Sequence, residues 1–306
     1  MNPILCIAGP TASGKSSWAL NLAKKFDGEI INSDALQVYK ELQILSARPT
    51  ENEMESIPHH LYGHISASHR YSTGQWLVEA DALIIDILAR GKTPILVGGT
   101  GLYFKALTEG LAKIPEISNA GKAQAQEILD TNGISSLRNA AQRLDPEATA
   151  RVLGDDPQRL LRIVGVALGT EKPLSSWQSA TKPVLPSASW HGAVLLPDRE
   201  KLYKKINERF ADMVKSGGLA EAERLRALKL DPMLPAMKAI GVRELIAHIK
   251  GEVDLDEAIE KAARETRRFA KRQYTWLRGQ MPDWPKVTTQ QDRQMAVADL
   301  LRTGQH

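Results

Sequence analysis

Gly9-Pro10-Thr11-Ala12-Ser13-Gly14-Lys15-Ser16 is the stretch that decides the fold. It follows the apolar run Ile4-Leu5-Cys6-Ile7-Ala8 and opens a helical stretch over 17–25. The octapeptide fits GxxxxGK[ST] in its proper setting, a buried strand turning through glycine into a helix N-terminus. Successive backbone N–H groups and the positive helix end converge there on an anion. Lys15 adds a full charge, and Ser16 offers a hydroxyl to Mg²⁺. All eight residues, Gly9 to Ser16, are therefore assigned to a phosphate site. The motif leaves open whether the phosphates belong to a nucleotide or to another molecule.

Outward from the loop the chain alternates as βα units, with strands at 29–32 and 94–98 and a helix over 77–90. The strands are short and nearly all apolar, as required when helices cover both faces of a parallel sheet. Between 117 and 186 the composition shifts to Ala, Gln, Leu and Arg at helical spacing. Residues 193–196 read as a strand returning to the sheet, ended by Pro197. Helical stretches follow at 199–216, 220–229, 237–249 and 256–278, with Gly217-Gly218 as a helix stop and Asp254 or Asp256 as a cap. The expected fold is α/β, a P-loop NTPase-like core with a parallel sheet flanked by helices. The core comprises 1–116 and 190–306 with C-terminal helices, and a helical insertion domain occupies 117–189.

The chain has 306 residues, 42% hydrophobic and 25% charged, enough for one large domain and a smaller one. No apolar run reaches membrane-span length, and the first strand leads into the phosphate loop rather than a cleavage site, so a cytoplasmic protein is expected. The single cysteine, Cys6, reads as core. Net charge is only +4, so the distribution of basic residues matters more than their sum.

After the second strand comes Asn32-Ser33-Asp34-Ala35-Leu36-Gln37. Carboxyl ends of neighbouring strands share one crevice, which brings Asp34 toward the phosphate loop. A carboxylate there can orient Mg²⁺ or accept a proton from a nucleophile; the competing role is a helix cap. The Gln37 amide can recognise a base edge. The third strand ends in Gly98-Gly99-Thr100-Gly101, without the acidic residue by which many P-loop nucleotidases hold their metal. Such a turn lets backbone approach a ligand closely, and Thr100 can hydrogen-bond between the strands.

A second strong signal spans 264–278, where six of fifteen residues are basic and Phe269, Tyr274 and Trp276 are interleaved. On a helix, Arg264, Arg268, Lys271 and Arg272 fall near one face, a surface that attracts polyanions and can stack on bases. The alternative is a solvated basic helix whose aromatics pack inward. Gln158-Arg159-Leu160-Leu161-Arg162 forms a second basic patch in the insertion. His59, His60, His64 and His69 lack a cysteine partner and a ligand spacing, so a structured loop is expected rather than a metal site.

These blocks together resemble the bacterial tRNA dimethylallyltransferases, or tRNA isopentenyltransferases. The resemblance runs colinearly through GPTASGKS, EIINSDALQVYK at 29–40, PHHL at 58–61, ILVGGTGLYFKAL at 95–107, DDPQRLLR at 155–162, AIGVRE at 239–244 and KRQYTWLR at 271–278. It implies transfer of a dimethylallyl group from dimethylallyl diphosphate to the exocyclic amine of the adenosine 3′-adjacent to the anticodon, with Mg²⁺ as cofactor. It also implies roles for named residues. Asp34 accepts the amine proton, Thr100 lies in the channel between donor and adenine, and Lys15 acts on the diphosphate, with Ser16 and Asp34 as metal ligands. Ser33 and Gln37 hold the target base, and Asp34, Ala35 and Leu36 join them as tRNA-binding residues. Lys122, Gln158, Arg159, Leu160, Leu161, Arg162, Arg243, Lys271, Arg272 and Arg278 contact the tRNA anticodon stem-loop. No membrane partner is implied, and a monomer is expected.

Lys122 stands where relatives commonly carry arginine, Ser46-Ala47-Arg48-Pro49 replaces a Gly-Thr-Ala-Lys-Pro, Asp155-Asp156 a common Asn-Asp, and Val242 a frequent tyrosine. None of these touches Lys15, Asp34 or Thr100. Two other readings share the phosphate loop: an adenylate isopentenyltransferase using free AMP, and a P-loop kinase or nucleotide-dependent RNA-binding protein. A mononucleotide needs neither the basic helix nor the insertion.

Overall fold

The computed structural model describes residues 2–303, with side chains through Ala298. Its scaffold begins as the apolar patterning dictates. Strand β1 (Ile4–Ala8) is buried along its whole length and passes through the glycine loop into α1 (Lys15–Lys25), whose Trp18, Ala19, Leu22 and Ala23 turn inward. Then come β2 (Gly28–Asn32), a one-turn α2 (Glu51–Met54), β3 (His59–His60), α3 (Thr73–Ala89), β4 (Thr93–Gly98) and α4 (Gly101–Thr108). The insertion contains α5 (Asn119–Leu144), α6 (Pro146–Ala150), α7 (Pro157–Thr170) and α8 (Leu174–Gln178). The chain returns through β5 (Trp190–Leu195), α9 (Arg199–Met213), α10 (Leu219–Ala227), α11 (Val242–Ile249), α12 (Leu255–Gln280), β6 (Lys286–Val287) and α13 (Gln290–Thr303).

All six strands are parallel, in the order β3-β2-β4-β1-β5-β6. The inner register, Ile7 opposite Val97 and Ala193, leaves the carboxyl ends of β1 and β4 side by side. Burial on both faces explains why the central strands β1 and β4 read as largely apolar runs. At the edge, Glu29 of β2 is only 2% exposed, and its carboxylate accepts hydrogen bonds from both Arg90 terminal nitrogens and sits 2.8 Å from His60 Nε2. Arg90, then His60, hold the Glu29 carboxyl down at about 2 despite its burial.

One expectation about elements is corrected. His59-His60 is not a loop but a short strand opposite Ile30 and Ile31. The stop expected at Gly217-Gly218 is present as a kink: Gly217, at φ 108°, leaves helical geometry in the turn over Val214–Gly218 that separates α9 from α10. The cap forecast at Asp254 forms, its carboxylate accepting from Glu257 N at 2.7 Å.

The chain divides into two compact units, Met1–Ala106 with Leu185–His306, and Leu107–Val184. The second has its own core, in which Leu137, Ala141, Leu160, Val164 and Val166 are buried. Its two long helices touch backbone to backbone. A Cβ on Gly121 would lie 2.6 Å from Gly169 Cα, so only glycine permits this approach of α5 and α7. Gly133, at φ 75°, divides α5 into two segments.

Candidate active site

The phosphate loop is held at both ends. Gly9 N donates to Gly98 O at 3.2 Å, and Ser13 N donates to Pro10 O at 3.3 Å. Gly14 occupies the N-cap of α1 at φ 84°, and no side chain caps the helix, which leaves its first N–H groups for an anion. Lys15 Nζ donates to Pro10 O at 3.3 Å. Burial pulls the Lys15 ammonium down to about 8, Asp34 opposes that shift, and Arg209 of α9 adds to it.

Asp34 sits in the tight turn after β2. Its Oδ1 accepts from Leu36 N at 3.0 Å, while its own N donates to Asn32 Oδ1 at 2.9 Å. No helix follows, so Asp34 is not a helix cap. The Gly-Gly-Thr-Gly turn after β4 braces it from the other side. Thr100 N donates to Ser33 O at 3.2 Å, and Thr100 Oγ1 accepts from Ala35 N at 3.0 Å, keeping the hydroxyl proton of Thr100 for a ligand. The Ser33 carbonyl presses against Gly98 where a Cβ would stand. The missing acidic residue at this strand end thus has a steric cause, because nothing larger than glycine fits there.

Thr11, Ala12, Asp34, Ser46, Ala47 and Arg209 form a wall between two cavities. On one side lies a cavity of about 670 Å³ lined also by Ser13, Gly14, Lys15 and Ser16 of the phosphate loop. On the other lies a smaller one of about 300 Å³, lined by Ile206, Met213, Phe269 and Arg272. Asp34 borders both cavities. Burial pushes the Arg209 guanidinium down, with Glu53 and then Asp34 opposing.

Helix α12 carries Arg264, Arg268, Lys271, Arg272 and Arg278 exposed, and Arg243 is exposed on α11. Its aromatic residues divide. Trp276 is not free to stack on a base, because its ring lies against Gly101. Tyr274 packs under Arg199 at 4.7 Å, and Phe269 lies 5.8 Å from the Arg272 guanidinium. The insertion presents Lys122, Gln158, Arg159 and Arg162 exposed and Leu161 half-buried, with Arg159 paired to Asp156 at 3.4 Å.

Three expected contacts need correction. Leu160 is fully buried in the core of the insertion and has no surface to offer tRNA. Ser33 is likewise fully buried, its hydroxyl without a partner among the described residues, so it lies beneath the turn rather than at a base. Gln37 lines the larger cavity, but its amide NH₂ donates to Ser46 O and Ala47 O at 3.1 and 2.8 Å, leaving only the carbonyl oxygen for a ligand. Ala35 and Leu36 are half-buried in the Asp34 turn.

Three residues escaped the sequence reading. Gln273 of α12 accepts from Thr11 N at 2.9 Å and donates to Gly99 O at 2.9 Å, fastening the basic helix to both glycine turns. Its signal was present: Ala263, Ala270, Gln273 and Leu277 form one buried stripe, and a lone amide in such a stripe needs partners. Glu221, 2% exposed, accepts from the backbone N–H groups of Gln43, Ile44 and Leu45 at 2.8–3.0 Å and so fixes the loop that supplies Ser46 and Ala47. Arg209 gave no signal, since its helical spacing matches any flanking cation.

A parallel sheet whose phosphate loop faces a carboxylate at the strand ends, with a basic helix fastened beside it, defines a P-loop-like group-transfer enzyme. The IPP transferase family pattern matches residues 37–280, and that of isopentenyl transferases matches 2–62. A tRNA dimethylallyltransferase of Maricaulis maris is 50% identical over 98% of both chains, and one of a Caulobacter species is 48% identical over 94% of this chain and 93% of its own. Among solved structures, a tRNA isopentenylpyrophosphate transferase of Bacillus halodurans superposes with a TM-score of 0.69 at 29% identity, covering 100% and 99% of the two chains. A eukaryotic dimethylallyltransferase acting on tRNA gives 0.79 at 28% identity, covering 94% and 74%. The chain belongs to the IPP transferase family, as an enzyme of the tRNA dimethylallyltransferase type.

Proposed function

We propose that this chain, a cytoplasmic monomer, transfers the dimethylallyl group of dimethylallyl diphosphate to the N6 amine of the adenosine 3′-adjacent to the anticodon of tRNA. The observation that carries the reading is the shared wall: Asp34 faces both the phosphate-loop cavity and the cavity bordered by α12. The donor diphosphate occupies the first, against the N–H groups of α1, Lys15 and Arg209. The adenine enters from the second, whose border carries Arg272.

In the transfer a new N6–carbon bond forms as the allylic carbon–oxygen bond breaks. The amine proton passes to Asp34 and diphosphate departs. An adenine amine is a poor nucleophile because its lone pair is delocalised, so a positioned base and a good leaving group are both needed. Loop N–H groups and Lys15 are aimed at the charge that grows on the diphosphate. Thr100 keeps the Asp34 turn against the β4 end. Ser16, exposed at the cavity mouth, and the Asp34 carboxylate, which has an oxygen beyond the one engaged by Leu36, are hard oxygen donors suited to Mg²⁺. Bound there, Mg²⁺ supplies neutralisation of the leaving diphosphate. Withdrawing the target base from its stack costs roughly a few kcal/mol, and phosphate contacts from Lys271, Arg272, Arg278, Arg243 and the insertion residues Lys122, Gln158, Arg159 and Arg162 offset it.

The test is incubation with dimethylallyl diphosphate, Mg²⁺ and total tRNA, followed by nucleoside digestion and mass spectrometry for prenylated adenosine. AMP serves as the competing acceptor. Asp34→Ala is expected to abolish transfer while leaving tRNA affinity within about twofold. Unchanged turnover in that variant, or faster prenylation of AMP than of tRNA, would refute the reading.

A further inference from the structure

The last helix brings a cation to the phosphate loop that no motif announces. Helix α13 starts from a tight N-terminal anchor, in which the Asp292 carboxylate accepts from Thr288 N, Thr288 Oγ1 and Thr289 N at 2.7–2.8 Å. From there Ala296 and Val297 pack on the cluster that contains Trp18, Ala19 and Leu22 of α1 together with residues of the sheet. This placement carries Arg293 to the loop. Its Nη2 stands 3.5 Å from the point a Cβ would occupy on Gly14, the residue that caps α1.

The electrostatics of this position are unfavourable without a ligand. A helix N-terminus carries about half a positive charge, and a cation beside it is repelled. Carboxylates normally relieve such a site, yet the first turn of α1 has no acidic residue. Among the described residues Arg293 forms no ion pair, and its neighbour Asp292 is occupied by three donors of its own. Lys15 and Arg209 add to the positive field of the loop, opposed by Asp34. A guanidinium held at a positive helix end, with no acidic partner, is an arrangement that becomes favourable once an anion is bound.

We infer that Arg293 is a further positioning residue for the donor, a cation supplied by the C-terminal helix that raises the affinity of the phosphate loop for a diphosphate. The inference deepens the reading of the loop as the donor site. Arg293 acts from the outer side of Gly14, through the field at the α1 N-terminus and through the packing of α13 on α1, whereas Lys15 and Arg209 line the cavity itself.

Arg293→Met keeps the apolar stem and removes the charge, and Arg293→Lys restores a charge on a similar stem. Binding of inorganic diphosphate with Mg²⁺ to the full chain, measured by calorimetry near pH 7, is expected to weaken about tenfold in Arg293→Met and to recover most of that loss in Arg293→Lys. KM for dimethylallyl diphosphate should rise in parallel, with kcat and KM for tRNA within about twofold of wild type. Equal diphosphate affinity in wild type and Arg293→Met overturns the inference. So does a matching rise in both KM values that Arg293→Lys fails to correct, since that pattern marks a packing role. Diphosphate binding is scored apart from transfer. A wild-type chain that binds diphosphate but leaves tRNA unprenylated counts against the transferase reading and not against Arg293.

Discussion

Lys15 gives the reading of the donor site a sharp pH signature. Burial brings its ammonium from 10.5 to about 8 in the ligand-free protein, so close to nine in ten molecules carry the charge at about pH 7 and only one in ten at about pH 9. If the charged form binds the donor, the dissociation constant of dimethylallyl diphosphate, measured without tRNA, should be flat below about pH 7 and about tenfold weaker by pH 9. Stability moves the other way. The folded value lies below the unfolded one, so between about 8 and 10.5 the unfolded chain holds more protons and the ligand-free fold gains stability as pH rises. The neighbours supply internal controls of opposite sign. Asp34 raises the Lys15 value and Arg209 lowers it, so Asp34→Asn should move the affinity break to lower pH and Arg209→Met to higher pH. An affinity that stays level to about pH 9.5, or two variants that shift the break in the same direction, would refute the argument.

Three other perturbations test the surrounding structure. Lys271→Ala combined with Arg272→Ala should weaken tRNA binding and lower the log–log salt slope by about 1 to 2, because phosphate contacts release counterions; an unchanged slope removes these residues from the interface. Gln273→Leu leaves Thr11 N–H and the Gly99 carbonyl without their side-chain partner and should cost ~2–4 kcal/mol in urea unfolding, with a higher KM for the donor. An unaltered midpoint would show that the bolt is dispensable. Glu221→Ala strips three backbone N–H groups, one buried and two half-buried, of their acceptor, for an expected loss of ~2–4 kcal/mol and a mobile 43–47 segment in hydrogen exchange. Native-like protection there would contradict the anchoring role.

What the sequence makes legible follows locality. Strand β1, the Ile95–Val97 part of β4 and the Ala193–Leu195 part of β5 are apolar runs beside glycine or proline, β2 keeps an Ile30-Ile31 centre, and the phosphate loop is defined by eight adjacent residues, so short windows carry them. Asp34 follows from its place after β2. Contacts between distant residues leave no such trace. Thr11 and Gln273 are separated by 262 positions, and Glu221 lies 176–178 positions from the amides it receives. Strand β3 is too short for a periodic signal and exists because β2 offers it an edge. Even the local pattern at 158–162 mixed two roles, since basic residues at helical spacing enclose Leu160, which the core of the insertion claims. The four histidines separate in the same way: His60 sits on Glu29, His64 on Glu79 at 3.0 Å, His59 on the Ile57 carbonyl, and His69 beside the Ser68 hydroxyl at 3.0 Å.

Gln273 has a consequence for anyone who would redesign this enzyme. One amide on the helix that carries the basic face bonds at once to the phosphate loop and to the turn after β4. Retargeting the chain to another RNA by transplanting a foreign α12 would therefore disturb donor affinity unless the graft kept glutamine in register with residues 11 and 99. On the proposed reading, acceptor specificity and donor geometry are not separate modules here. They share a fastening, and a library that varies the exposed basic positions while fixing 273 is the one expected to yield active progeny.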